Sequence, residues 1–345
     1  MSSIGSEFVT HHNRNIGGQK VLYLPLNGAI KQTGMEDAFL SNNFLLTTLD
    51  FCGCHKRYGT NVLNRLFLNL AETVKPDWIH MQLQYRDFVD PLTLDRIKHI
   101  LPHTVITNWS GDIRQAPMPC FVKTSQHIDL TLMSNEGQLA EHLKCGAKNV
   151  EYWQIGIDPK IFHPLDINTR NRLKTEYNHN VVFCGGNYGK FPGSKERFDV
   201  ISGLKKVFGD NFGLYGEFWP QGWHKGILPF CDQNLAYNAS KIVINVNNFN
   251  YTKMYFSDRQ LVGMASGAMM ICHYIPGLEI YFQNGIDLAW FHSTDECVDL
   301  VRHYLEKLEE LEAIGARGSK KVLTEHSYHM RVKELSERLK QRGML

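Results

Sequence analysis

The chain has 345 residues, and its 37 Lys and Arg stand against 35 Asp and Glu, a formal net charge of +2. Hydrophobic residues make up 43% and charged residues 21%, which excludes a disordered, collagen-like or coiled-coil chain and leaves a globular protein of about two domains. So small a surplus of positive charge demands no polyanionic partner, although it permits a local basic patch.

Residues 1–19 are polar and rich in Gly, Ser, His and Asn, without the apolar run of a signal peptide, and are expected as a flexible leader. No stretch reaches the roughly 18 apolar residues of a membrane helix, so no membrane span is expected. The eight cysteines lack paired spacing and are expected as free thiols in a reducing, cytoplasmic setting, that of a cell or of an infected host. Cys52-Gly53-Cys54-His55 lacks the spacer and second pair of a zinc site. It reads as a strand end and a turn, and no metal is expected.

From Lys20 onward strands and helices alternate. A strand at 21–24 precedes a loop with Gly28 and Gly34 and a helix at 35–41. A strand at 44–51 follows, and Val62, Leu63, Leu66, Leu70 and Val74 recur at helical spacing. Strands are expected at 77–83, 104–108, 128–133 and 150–155, with a helix at 135–145 closed by Gly146. Residues 156–166, with Pro159 and Pro164, read as a linker. The alternation then restarts with a strand at 181–183, a glycine loop at 185–189 and a helix at 194–208. Further strands follow at 212–215, 242–246 and 269–273. Ser293 and Glu296 have capping-box spacing. A last helix carries Tyr328, Val332, Leu335 and Leu339 on one stripe that needs a packing partner.

This alternation implies parallel sheets covered on both faces, an α/β fold in two similar halves. The expected boundaries are 20–165 and 166–326, with 327–345 as a C-terminal helix. The chain has no Gly-x-Gly-x-x-Gly opening its first helix and no Lys-Ser/Thr phosphate loop. His-Glu-x-x-His and Gly-x-Ser-x-Gly are also missing. Their absence weighs against a dehydrogenase, a loop-type NTPase, a zincin and an α/β-hydrolase. Ligands of such folds sit beyond the carboxyl ends of parallel strands, where the loops at 28–34 and 185–189 fall. In Ser257-Asp258-Arg259-Gln260-Leu261-Val262, Ser257 or Asp258 is placed to cap a helix. Arg259 then stands in the first turn, against the helix dipole. The arrangement is favourable where a bound anion meets both the helix terminus and the guanidinium.

Several segments, in order, resemble a known group. They are Gly34-Met35-Glu36-Asp37-Ala38-Phe39, Lys75-Pro76-Asp77-Trp78-Ile79-His80, and Gly156-Ile157-Asp158 running to Phe162-His163-Pro164. The Ser257-x-Arg259 segment with Ala265-x-Gly267, then Pro276-Gly277-Leu278-Glu279, and His326-Ser327-Tyr328 with Arg331 complete the set. Together, over about residues 20–340, they look like GT-B glycosyltransferases of the group 1 kind, the CgeB-like sequences nearest.

The resemblance implies two Rossmann-like domains facing a central cleft, with the C-terminal helix crossing back to the N-terminal domain. It implies metal-independent hexosyl or pentosyl transfer from a nucleotide-diphosphate sugar that serves as co-substrate, with no cofactor. It places Ser257, Arg259 and Leu261 on the donor diphosphate side, with Gly186, Asn187 and Arg197 beside them. Gly216 and Trp223 would meet the nucleotide, and Glu279 a sugar hydroxyl. On the acceptor side it points to Gly28, Gln84, Trp109 and Arg114, with Asp112 and His80 as candidate catalytic groups. Val262 and Met254 stand where the family commonly has glutamates, which leaves the sugar and nucleotide open. The acceptor is open too: a glycan, a protein, or a hydroxymethylated base in phage DNA, for which Lys56, Arg57, Arg86, Arg96, Lys98 and Arg114 would follow the phosphates. A nucleotide-sugar epimerase and a binding protein without catalysis are the competing readings.

Overall fold

The computed structural model describes residues 5–12, 17–26, 33–84 and 86–345; Gly28 lies outside them. The chain divides into two compact units, Met1–Ile155 with Tyr328–Leu345, and Gly156–Ser327.

The first unit runs β1 (Val9–His12), β2 (Lys20–Leu24), α1 (Thr33–Ser41), β3 (Leu45–Leu49), α2 (Phe51–Val74) and β4 (Trp78–Met81). It continues with α3 (Pro91–Ile100), β5 (Val105–Ser110), α4 (Pro119–Ser125), β6 (Leu130–Met133), α5 (Leu139–Lys144) and β7 (Val150–Tyr152). Its sheet has the order β1-β3-β2-β4-β5-β6-β7. All pairs are parallel except β1 with β3, where Val9 faces Leu49. Period-two alternation builds two cores, one on each face of the sheet. Leu22, Leu24, Ile79 and Met81 pack with Leu63, Phe67 and Leu70 of α2 and with Leu94 of α3. Val21, Tyr23, Trp78 and Trp109 pack on the other face with Phe39 of α1.

The second unit contains α6 (Ile167–Tyr177), β8 (Val181–Cys184), α7 (Ser194–Phe208), β9 (Phe212–Tyr215), α8 (Gln233–Ala239) and β10 (Ile242–Asn245). It goes on through α9 (Asp258–Ala265), β11 (Met269–His273), β12 (Ala289–Phe291), α10 (Thr294–Glu306) and α11 (Leu308–Glu325). Its five strands are all parallel, in the order β12-β11-β10-β8-β9. Phe183, Leu214, Ile244 and Ile271 form its core with Val200, Ile201 and Leu204 of α7 and Val301 of α10. Helix α12 (Tyr328–Gln341) belongs to the first unit. Its Val332, Leu335 and Leu339 are fully buried in the core that contains Phe39 and Trp78. The Trp153 indole N–H also donates to the Arg331 carbonyl at 3.0 Å.

Three local readings change. Part of the supposed leader is β1, whose pairing covers the outer edge of β3, an edge that would otherwise leave its backbone groups open. The Cys52-Gly53-Cys54-His55 cluster opens α2 rather than a turn, because the Asp50 carboxylate accepts the Gly53 N–H at 2.9 Å and caps it. The helix also absorbs Gly59, which is non-helical at φ 78. The polar stretch after the linker is α6, capped by Asp166, which accepts from Asn168 and Thr169.

Candidate functional site

In the second unit the strand order reverses direction between β8 and β10. At such a switch point the loops leaving neighbouring strands diverge and open a crevice beyond their carboxyl ends. Two arginines span it. Arg259 donates from Nε to the Cys184 carbonyl at the end of β8 and from Nη1 to Asn245 Oδ1 at the end of β10 (3.1 Å). Arg197 donates from Nε to the Val246 carbonyl (3.0 Å) and from Nη1 to the Gly186 carbonyl (2.8 Å). Both guanidiniums lie over the Phe183 ring, 4.8 Å from its centroid for Arg259 and 5.8 Å for Arg197.

The two differ in what they leave available. Arg197 is only 3% exposed, and burial first, then the neighbouring Arg259 cation, lowers its pKa. It ties the glycine loop to the end of β10, a structural role in place of the donor contact expected of it. Arg259 is half-buried, and its remaining nitrogen, Nη2, has no protein hydrogen-bond partner. Among the described residues, neither arginine forms an ion pair with a carboxylate.

The surrounding loops are built to approach these cations. A Cβ at Gly185 would lie 2.6 Å from Arg259 Nη2. Gly216, at φ 134, lets the end of β9 close on the Gly185 carbonyl, which any side chain there would strike. Trp219 Nε1 also donates to that carbonyl (2.8 Å), and Asn187 N–H donates to the Glu217 carbonyl (3.0 Å). Ser257 is the N-cap of α9 by position, yet its hydroxyl accepts from Arg259 Nη1 at 3.4 Å instead of capping. The Asp258 carboxylate takes the Arg259 backbone N–H at 2.8 Å. An anion at this end of α9 therefore meets the guanidinium and not that amide.

Other expected donor residues are less open. Trp223 stacks on Phe198 at 5.6 Å against the core, whereas Phe218 (64% exposed, φ 65) and Tyr188 stand outside with ring centroids 5.5 Å apart. Leu261 is fully buried within α9. Glu279 is exposed and accepts from the Tyr274 hydroxyl at 3.0 Å. Val262 and Met254 are both buried, so neither side chain is open to a ribose. Sequence reasoning missed the asparagines that set Arg259: Asn245, and Asn247, whose Oδ1 accepts the Ser257 N–H at 3.0 Å. A run of four asparagines within six residues after an apolar strand was the signal.

In the first unit, Gln84, Asp112 and Arg114 come together around a small pocket, lined also by Gln138 and by His142 of α5. Arg114 pairs with Asp112 at 3.4 Å. His80 and Trp109 are elsewhere, in the core. Trp109 donates to the Trp153 carbonyl at 3.1 Å. His80 is enclosed by Tyr23, Phe39, Trp78 and Trp153, with Nδ1 on Thr107 Oγ1 at 2.9 Å. Burial brings its pKa down to about 3, so a packing role replaces the catalytic one. Of the cations considered as a phosphate track, Arg57 meets Glu7 (3.7 Å), Lys98 meets Asp129 (3.0 Å) and Arg114 meets Asp112.

No curated protein matches the chain by sequence. Residues 197–337 match the sequence model of a family described as glycosyl transferase-like. Among solved structures, Anabaena HepE in complex with UDP and glucose superposes with a TM-score of 0.65 at 11% identity, covering 94% of this chain and 100% of that one. A glycosyltransferase from Rickettsia africae gives 0.67 at 12%, covering 94% and 99%, and sucrose-phosphate synthase from Thermosynechococcus elongatus gives 0.64 at 11%, with the same coverages. The chain thus has the two-unit GT-B fold, and its residues 197–337 are similar to glycosyl transferase-like sequences.

Proposed function

We propose that this protein transfers a sugar from a nucleoside-diphosphate sugar to an acceptor hydroxyl, with the donor diphosphate at the β8/β10 switch point. The observation that carries the reading is the Arg259 guanidinium. It is fixed by Cys184 and Asn245 at a ligand-binding crevice and is balanced by no carboxylate among the described residues. Proteins leave a half-buried cation without a counter-charge where a ligand supplies one. HepE, a GT-B structure, is seen with UDP and glucose, which favours a uridine diphosphate hexose as donor.

In the reaction, the bond from the anomeric carbon to the diphosphate oxygen breaks with its electron pair leaving on the diphosphate. A bond from the acceptor oxygen to the anomeric carbon forms. Negative charge grows on the diphosphate beside Arg259, so that contact strengthens toward the transition state. The acceptor's proton needs a base. Asp112, with half of its side chain exposed and only a single arginine partner, is the carboxylate that fits the role in the first unit. The eight free cysteines suit a reducing compartment such as the cytoplasm. Among the described residues no helix is long and apolar enough to cross a membrane.

The experiment is a donor panel of nucleoside-diphosphate sugars with mixed hydroxyl acceptors, read by mass spectrometry for glycosylated product and released nucleotide. Transfer that requires both substrates supports the reading. Turnover of the donor without any acceptor would indicate an epimerase or hydrolase, and absence of nucleotide binding would overturn the donor site.

A further inference from the structure

Helices α6 and α11 enclose a groove of about 680 Å³ in the second unit. Its floor is formed where β10 and β11 begin, at Ser240-Lys241 and Gly267-Ala268. The groove therefore opens at the amino ends of these strands, whereas the arginine crevice opens at their carboxyl ends. Ile167 of α6, with Leu311, Ala316 and Leu323 of α11, gives it apolar surface, and Ile167 is 61% exposed. Apolar surface left open in a concave, polar-rimmed site marks an interaction face.

Charge says what fits there. Arg170, Lys174, Lys241 and Lys320 line the groove with a single carboxylate, Glu312. Among the described residues none of these five side chains forms an ion pair. Such a surplus of cations suits an acidic occupant. No aromatic ring lines the groove, so it offers a nucleic acid no base to stack on, and a concave face does not lie flat on a membrane.

The chain carries an acidic segment of its own. Glu306, Glu309, Glu310 and Glu312 stand where α10 ends and α11 begins, beside Leu308, which is 41% exposed. At 3.6 residues per turn, Glu309, Glu312, Ala316, Lys320 and Leu323 fall within about 40° of one line along α11. The first four are exposed and Leu323 is half-buried. Glu312 stands four residues before Ala316 and Lys320 four residues after it. That spacing matches itself. When two copies of α11 cross antiparallel at Ala316, each Glu312 faces the Lys320 of the other copy, and each Leu308 falls near Leu323 and Thr324. A two-fold contact requires such a self-complementary patch.

We propose that this groove is the contact face of a symmetric dimer, in which α11 of a second copy lies antiparallel along α11 and sets its acidic first turn beside Lys320. The contact lies at the opposite strand ends from Arg259 and does not depend on the glycosyl-transfer reading.

Sedimentation velocity on the full chain tests this. At about 50 mM salt and a concentration on the order of 100 μM the wild type should sediment as a dimer, and about 500 mM salt should weaken it. Glu312→Lys and Lys320→Glu each set two like-charged pairs across the two-fold and should weaken dimerisation by about tenfold or more. Mixed in equal amounts, the two variants should pair with each other, since each offers the charge that the other lacks. That recovery separates a lost contact from a lost fold. Ala316→Trp should block close approach at the crossing and leave a monomer with the far-UV circular dichroism of the wild type. A wild-type monomer at low salt would overturn the proposal. So would a dimer that survives both charge reversals, or folded variants that do not pair when mixed.

Discussion

Arg259 and Arg197 share an aromatic ring and a crevice, yet their environments separate their roles. Arg259 offers a nitrogen to a ligand, so Arg259→Ala should cost about 2–4 kcal/mol of transition-state stabilisation, on the order of 30- to 1000-fold in kcat/KM. Arg259→Lys should restore only part, because a point charge does not reproduce the planar fork. Steady-state kinetics with the preferred donor checks this, and wild-type activity in the alanine variant would remove the diphosphate from this crevice. Arg197 joins two main-chain segments from within the core. Arg197→Ala leaves the Gly186 and Val246 carbonyls without their donor and should lower stability by about 2–3 kcal/mol. Chemical denaturation reads this loss, and donor affinity should fall through the loosened glycine loop. A variant as stable as the wild type would show that the buried guanidinium holds nothing together.

At the scale of elements, burial governs two expectations. Strand β4 carries His80 at a pKa of about 3, and His179, just ahead of β8, is held at about 4, in both cases chiefly by burial. Each folded value lies below the ordinary value near 6.5, so the unfolded chain takes up the proton first. The stability they contribute is therefore complete above about pH 6.5 and is lost as pH falls toward the folded values. The slope should approach about 1.4 kcal/mol per pH unit for each histidine. Urea titrations at pH 7 and 5.5 should show the loss, and His80→Phe should reduce it. Helix α12 buries Val332, Leu335 and Leu339 completely, each worth about 1.5–3 kcal/mol. Ending the chain at Ser327 should therefore destabilise the first unit by roughly 5 kcal/mol or more. A truncated chain with unchanged melting would contradict that packing. Most strands of both sheets were legible because short apolar runs report burial directly, and β9 and β11 fall where the pattern puts them; β1, in a polar segment, and the three-residue β12 were not. Helices α2 and α6 were obscured for opposite reasons. Gly53 in the first turn of α2 imitates a turn, and α6 buries only Leu173 and Tyr177, too little for an apolar stripe. In the site, the place of Arg259 in the first turn of α9 was legible from the capping pattern at Ser257 and Asp258. The roles of Arg197, His80 and Trp109 were not, because position along a strand end does not say whether a side chain turns inward. Gln138 and His142 were missed because their part in the pocket comes from α5 folding beside the end of β5, which no local pattern announces.

At the scale of the whole molecule, the two units own separate cores. Among the described residues, the clusters around Phe67 and Trp78 draw on the first unit and the cluster around Phe183 on the second. Each unit therefore has its own stability, and a ligand that binds one of them shifts that unit's unfolding by mass action. The donor crevice is made wholly by the second unit: Cys184, Gly185, Asn245, Ser257 and Arg259 all lie in Gly156–Ser327. A nucleoside diphosphate at 100 times its Kd should stabilise that unit by about 2.7 kcal/mol. Hydrogen exchange should show the protection falling most strongly on the ends of β8 and β10, the 185–189 loop and the first turn of α9. Nucleotide-induced protection centred on the first unit, or absent from the first turn of α9, would show that the diphosphate is not held at Arg259.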